Sequence, residues 1–255
     1  MKKVILVSID GMRPDGLTSC KNTYVEQLLN ESKYTLKGTT VWPSVTLPAH
    51  MSMFHSAPPQ VHGIIYNEYL PPINKVKGLF EHLATHGKSA CWVYNWEHLR
   101  DIVRPGNVQW SMALACCVSD STDTILTDTA IQYIDKMRPH FAFVYMGETD
   151  HEGHEYGWMS KEYLNRISIA MDNVKKLVEN FGDEYLIIVT ADHGGHDRLH
   201  GLDTPEDMTI PIILHTTEKK TGQLPEGSSI LDIAPTISAY MELPQPACWE
   251  GKPLL

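Results

Sequence analysis

The chain has 255 residues, with 21 Lys+Arg against 31 Asp+Glu, for a formal net charge of −10 at pH 7. Charge of that sign argues against a sequence-independent nucleic-acid binder and against docking on anionic membranes, because both attract basic faces. At 42% hydrophobic and 20% charged residues the composition is that of a globular protein, not a disordered one.

The first element follows Lys2 and Lys3. The apolar run from Val4 to Ile9 is too short for the core of a secretion signal and meets Asp10 with no small-residue cleavage site, so it is predicted as a buried strand over 3–9. Further strands are predicted over 35–41, 89–94, 140–146, 184–190 and 209–214. Their hydrophobicity is continuous, not alternating, as in strands covered on both faces. Helical periodicity marks 76–86, with Gly87 as its stop, then 123–137 and 163–181. The alternation predicts an α/β layered fold with a mostly parallel central sheet flanked by helices, in a single domain spanning 1–255. No stretch approaches the roughly 20 apolar residues of a membrane span. Cysteines 20, 91, 116, 117 and 248 are odd in number, with Cys116 and Cys117 inside an apparent strand. They have neither paired-disulfide nor CxxC spacing, which fits reduced thiols in a cytoplasmic protein.

Three predicted strands run into aspartates: Asp10 directly, Asp150 after a short interval, and Asp192. Ligand sites in open α/β sheets form outside the carboxyl ends of the strands. These carboxylates can therefore converge although they lie 140 and 42 residues apart. Histidines accompany two of them, in Asp150-His151-Glu152-Gly153-His154 and Asp192-His193, with His200 shortly after. Gly153 and Gly194-Gly195 permit tight turns beside these groups. Taken singly, Asp10 reads equally as a cap or turn residue, and Asp150 and His154 as a helix-face pair. Together they form a donor set that suits Zn²⁺ or Mn²⁺, and the lack of a Cys₄ pattern points to catalysis over a structural ion.

Between the first two carboxylates lies Trp42-Pro43-Ser44-Val45-Thr46-Leu47-Pro48-Ala49-His50. Pro43 bars helix before it and Pro48 suits a first helical turn, so Thr46 sits at a helix N-terminus, where free N–H groups favour an anion. Thr46 is then either the cap of that helix or a nucleophilic hydroxyl.

The set Ile9-Asp10-Gly11, Pro43-x-x-Thr46-x-Pro48-x-His50, His62-Gly63-Ile64-x-x-Asn67, Glu148-x-Asp150-x-x-Gly153-His154 and Asp192-His193-Gly194 resembles the alkaline phosphatase superfamily. Within it, the sequence is similar to the type I phosphodiesterase, or nucleotide pyrophosphatase/phosphodiesterase, branch. The likeness runs from Asp10 to Pro211 and continues over 232–237. It implies an alkaline-phosphatase-like fold without a cap domain and a phosphoric ester hydrolase that uses two divalent metal ions, zinc or manganese. By position, Asp10, Thr46, Asp192 and His193 would hold one ion, and Asp150, His154 and His200 the other, with His196 competing for the last place. Asn67, 21 residues after Thr46, matches the family's phosphoryl-oxygen ligand. Thr46 would attack phosphorus to give a phosphothreonine intermediate that water then hydrolyses.

Threonine at position 46 and histidine at position 50 depart from the sulfatase pattern, and no interval is long enough for the cap of the related mutases. Leu47 replaces the aromatic residue typical of nucleotide-cleaving members, and Thr149 replaces a proline. Tyr145 matches a family aromatic or is simply core. Trp92, Trp96, Tyr66 and Tyr69 are candidates to line a pocket. The expected substrate is a small phosphodiester, phosphoanhydride or nucleotide, with a phosphomonoesterase or a non-catalytic phospho-ligand-binding protein as alternatives.

Overall fold

The six predicted strands form within two residues of their expected limits, in a computed structural model that describes residues 2–68, 70, 76–104, 106–117, 119 and 121–255. They are β1 (Lys3–Ile9), β2 (Lys33–Thr39), β3 (Ala90–Tyr94), β5 (Phe141–Met146), β6 (Tyr185–Thr190) and β7 (Thr209–His215). Two more, β4 (Trp110–Ala113) and β8 (Gly222–Gln223), complete an eight-stranded sheet in the order β4-β3-β5-β1-β6-β7-β2-β8. β4 and β8 are edge strands of four and two residues, β4 alternately half-buried and exposed and β8 exposed. Neither carries the continuous apolar run of a strand covered on both faces.

β7 alone runs against the rest, so the sheet is mostly parallel as expected. β3, β5 and β6 are buried at every residue and β1 at all but Lys3. Each buried Val, Leu or Ile side chain there contributes about 1.5–3 kcal/mol relative to exposure. β2 is the exception to double coverage. Its outer neighbour β8 pairs with only two of its residues, and half its length is polar and partly exposed.

The helices Thr122–Met137 and Lys161–Phe181 match their predicted periods. The second turns Ile167, Ala170, Met171, Val174, Leu177 and Phe181 inward, and the Ser160 side chain caps it by accepting from Tyr163 N–H at 3.2 Å. Leu79–Thr85 is shorter than its prediction, and Gly87 lies just past its end at φ +66°. Cys116 and Cys117 lie in a turn beyond β4 and not in a strand, because the edge strand ends at Ala113. All five cysteines are free. Among the described residues no helix is long and apolar enough to cross a membrane.

Register explains the placing of the aspartates. In the adjacent parallel strands β5, β1 and β6, Ile9 pairs with Met146 and Ser8 with Thr190, so all three end at one level of the sheet edge. Asp10 and Asp192 lie in the turns that follow β1 and β6. Asp150 sits four residues past β5, in the first turn of the helix Glu148–Tyr156.

Candidate active site

Two groups of acidic and imidazole side chains meet at this sheet edge. In the first, the donor atoms of Asp10, Asp192 and His193 lie within 4.8 Å of one another, and all three residues are buried. His193 Nε2 is 3.2 Å from Asp10 Oδ1 and 3.5 Å from Asp192 Oδ2. In the second, Asp150, His154 and His200 are equally close, nearer to solvent. His154 Nε2 is 3.3 Å from Asp150 Oδ2, and His200 Nε2 is 3.7 Å from Asp150 Oδ1. The groups are contiguous, since the rings of His193 and His200 stack at 3.9 Å between centroids. His196 stands apart, its Nδ1 bonded to Asp207 at 2.7 Å. Only a short turn bridged by His196 and Leu199 separates His193 from His200.

Thr46 is the first residue of the helix Thr46–His55. Val45 occupies the cap position and supplies no side-chain bond, so Thr46 is not the cap. The Thr46 hydroxyl is therefore directed to the first group, with Oγ1 3.2 Å from His193 Nε2. Asn67 lies beside it, its Oδ1 accepting from Leu47 N–H at 3.0 Å. That bond uses the carbonyl end of the Asn67 side chain and leaves the amide NH₂ as the donor.

Three observations test whether these residues suit a divalent cation. Asp10 Oδ1, Asp150 Oδ1 and Asp192 Oδ2 are buried and make no hydrogen bond among the described residues, and such orphaned acceptors are costly unless a cation meets them. Each histidine bonds a backbone carbonyl through Nδ1: His193 to Gly194 at 2.7 Å, His154 to Arg198 at 2.9 Å and His200 to Ser44 at 2.9 Å. A carbonyl can only accept, so Nδ1 carries the proton and Nε2 keeps its lone pair toward the carboxylates, as metal-ligating histidines do. The donor set, carboxylate plus neutral imidazole, fits zinc or manganese. These residues therefore fit the group.

The electrostatics agree. Burial, and then the charges of Asp192 and Asp150, push the Asp10 carboxyl well above its ordinary value, and burial raises Asp192. Burial lowers His193, and burial with His193 as neighbour lowers His200 to about 4. The first group thus combines reluctant carboxylates with a neutral imidazole, whereas in the second the hydrogen bond between them raises His154 and, against the burial of its carboxyl, lowers Asp150.

A supporting layer surrounds these residues, of which Thr40 and Trp158 had no place in the motifs. Tyr145 is both core and part of the site, because its buried hydroxyl donates to Asp10 Oδ2. Thr40 donates to the Asp192 carbonyl, and Asp192 Oδ1 accepts from Gly11 and His193 N–H at 3.2 and 3.0 Å. His50 is fully buried, its Nδ1 donating to Thr46 O at 2.8 Å and lying 3.5 Å from Asp192 Oδ2. Trp158 donates from Nε1 to Gly11 O at 3.0 Å and meets the His154 ring edge-on at 5.1 Å. Gly153 is accordingly not a turn residue. It lies within its helix, where a Cβ would come 2.8 Å from the Trp158 ring, and Gly195 faces the same ring at 2.2 Å. Trp92 is core, stacked on Phe143 at 4.5 Å, and does not line a pocket. Trp96 stacks on His98 and Tyr66 is 70% exposed. Tyr69 lies outside the described residues.

The sheet order and this edge define a protein of the alkaline phosphatase fold. The family profile of type I phosphodiesterase / nucleotide pyrophosphatase matches residues 4–96 and 84–212, and the chain belongs to that family. Human bis(5'-adenosyl)-triphosphatase ENPP4 is 25% identical over 245 residues, covering 83% of this chain and 52% of the relative. Rat ectonucleotide pyrophosphatase/phosphodiesterase family member 1 is 27% identical over 222 residues, covering 74% of this chain and 24% of the relative. The chain thus spans about half the length of the ENPP4 relatives it matches. Among solved structures, an inactive variant of murine ENPP5 in complex with AMP aligns at a TM-score of 0.80 and 15% identity over 96% of both chains.

Proposed function

We propose that the chain hydrolyses phosphodiester or phosphoanhydride bonds of small molecules, nucleotides among them, with Thr46 as nucleophile and two divalent ions, zinc or manganese, held at the sheet edge. The observation that carries this reading is the approach of Thr46 Oγ1 to His193, at a helix start beside three carboxylates with unsatisfied oxygens. Asp10, Asp192 and His193, with Thr46, would hold one ion, and Asp150, His154 and His200 the other. When bound, the ions supply Lewis-acid activation of the hydroxyl and neutralise charge on the phosphoryl oxygens.

The chain's own residues do the rest. Thr46 Oγ1 forms the new bond to phosphorus as its hydroxyl proton passes to solvent and the bond to the leaving oxygen breaks, giving a phosphothreonine that, from a diester, still carries the other ester group. Water then cleaves the threonine ester and restores the hydroxyl. Asn67 donates its amide NH₂ to a non-bridging phosphoryl oxygen, and the helix N-terminus adds backbone N–H donors. The more exposed second group, around His154, is the side from which the leaving group departs and water enters.

The test is a hydrolysis panel on the metal-reconstituted protein, comparing p-nitrophenyl phosphate, bis-p-nitrophenyl phosphate and a nucleotide p-nitrophenyl ester. Preference for either diester is expected. Preference for the monoester, or turnover that survives chelation, would overturn the reading.

A further inference from the structure

The helix Glu148–Tyr156 carries Asp150 and His154, yet its N-cap, Gly147, has no side chain to offer. The helix Thr122–Met137 likewise begins after Ser121 with no side-chain cap. Each is capped by the other. Glu148 Oε1 accepts from Thr122 N–H at 3.0 Å, and Asp123 Oδ2 accepts from Glu148 N–H at 3.3 Å. Asn95, just past β3, joins both starts, donating from Nδ2 to Asp123 Oδ1 at 2.6 Å and accepting from Gly147 N–H at 3.0 Å. Arg166, on the helix Lys161–Phe181, donates to Glu148 Oε2 at 3.0 Å and to Glu152 Oε1 at 2.9 Å.

All four oxygens of Asp123 and Glu148 are therefore engaged, and both side chains are buried, with residues 1% and 2% exposed. Buried carboxylates are tolerated only when fully satisfied, and helix starts gain from negative charge. The same helix is weak further along. Gly153 is a weaker helix former than Ala, and the His154 side chain is 42% exposed. The helix start, two residues before Asp150, is thus fixed by the reciprocal caps.

We propose that Asp123 and Glu148 are positioning residues for the second metal site. Through the reciprocal caps they hold Asp150 and His154 against His200. The proposal rests on reading Asp150, His154 and His200 as a cation site. Losing an outer partner of a metal ligand typically weakens affinity about 10–100-fold.

The test is an equilibrium zinc titration of the full metal-free chain against a chromophoric chelator. Two binding events are expected for the parent, with His200→Ala marking the one that belongs to the second group. Asp123→Ala should weaken that event about 10–100-fold and leave the other unchanged. Glu148→Gln keeps an acceptor for Thr122 N–H but loses the charge facing Arg166, and should weaken the same event by less. Ile134→Val, toward the far end of the first helix, should lower thermal stability without moving either affinity. Should Asp123→Ala fail to fold, Glu148→Gln decides. Parental affinity in both variants, or equal weakening of both events, would overturn the positioning role. A parent chain that takes up no zinc would overturn the two-ion reading beneath it.

Discussion

Thr46 Oγ1 and His193 Nε2, 147 residues apart in sequence, lie 3.2 Å from each other in the fold. One begins a helix and the other follows β6, so the contact joins two of the elements that bound the sheet edge. If the hydroxyl is the nucleophile, Thr46→Ala should lower kcat by about 10³-fold or more while zinc is still taken up, since the carboxylate and imidazole donors remain. Thr46→Ser should retain measurable turnover. Steady-state kinetics with zinc analysis of both variants checks this, and an active Thr46→Ala protein would remove Thr46 from the chemistry.

Asn67 is expected to act on the transition state. With its Oδ1 held by Leu47 N–H, its amide NH₂ serves a phosphoryl oxygen whose charge grows during attack. Asn67→Ala should lower kcat about 10²-fold. A rise in KM with kcat unchanged would assign it to ground-state binding instead.

How much of this was legible in the sequence depended on burial. β1, β5 and β6 lie mid-sheet with both faces covered, so their apolar runs located them, and the aspartates that follow them pointed to one edge. β4 and β8, at the rims, carried no such run. Spacing near His200 did not separate it from His196. In the fold the two part ways, His200 bonding Ser44 across 156 residues and His196 bonding Asp207 across 11. Trp158 and Asp123 had no local signature, because their partners Gly11 and Glu148 are distant in sequence and fixed only by packing.

Packing around Trp158 leads to a stability prediction. A Cβ at Gly153 would come 2.8 Å from the indole, so Gly153→Ala should destabilise by about 1–3 kcal/mol through overpacking. For a chain of this size, that corresponds to roughly 2–4 °C in Tm per kcal/mol. Calorimetry of the metal-free variant measures it. An unchanged or higher Tm would show that the helix shifts freely and that the ring does not constrain it.

The pH dependence of the metal-free protein follows from His200. Burial and the neighbouring His193 lower its pKa to about 4 in the fold, against 6.5 ordinarily. A depressed folded value means its contribution is fully present above about pH 6.5 and is lost as pH falls toward 4. Below about pH 6.5 the unfolded chain binds the proton that the folded chain refuses. His200→Asn should therefore become progressively more stable relative to the parent between pH 7 and pH 4.5, as read by urea unfolding of both proteins. A stability difference independent of pH would contradict the burial of a neutral His200.

The most direct test of the nucleophile is to acid-quench the zinc-loaded chain during turnover of a nucleotide p-nitrophenyl ester and map covalent adducts by mass spectrometry. A nucleoside monophosphate joined through its phosphorus to the peptide containing Thr46, absent in Thr46→Ala, is the expected result. Rapid release of p-nitrophenol with no adduct at Thr46, and the same rate in Thr46→Ala, would contradict attack by this residue.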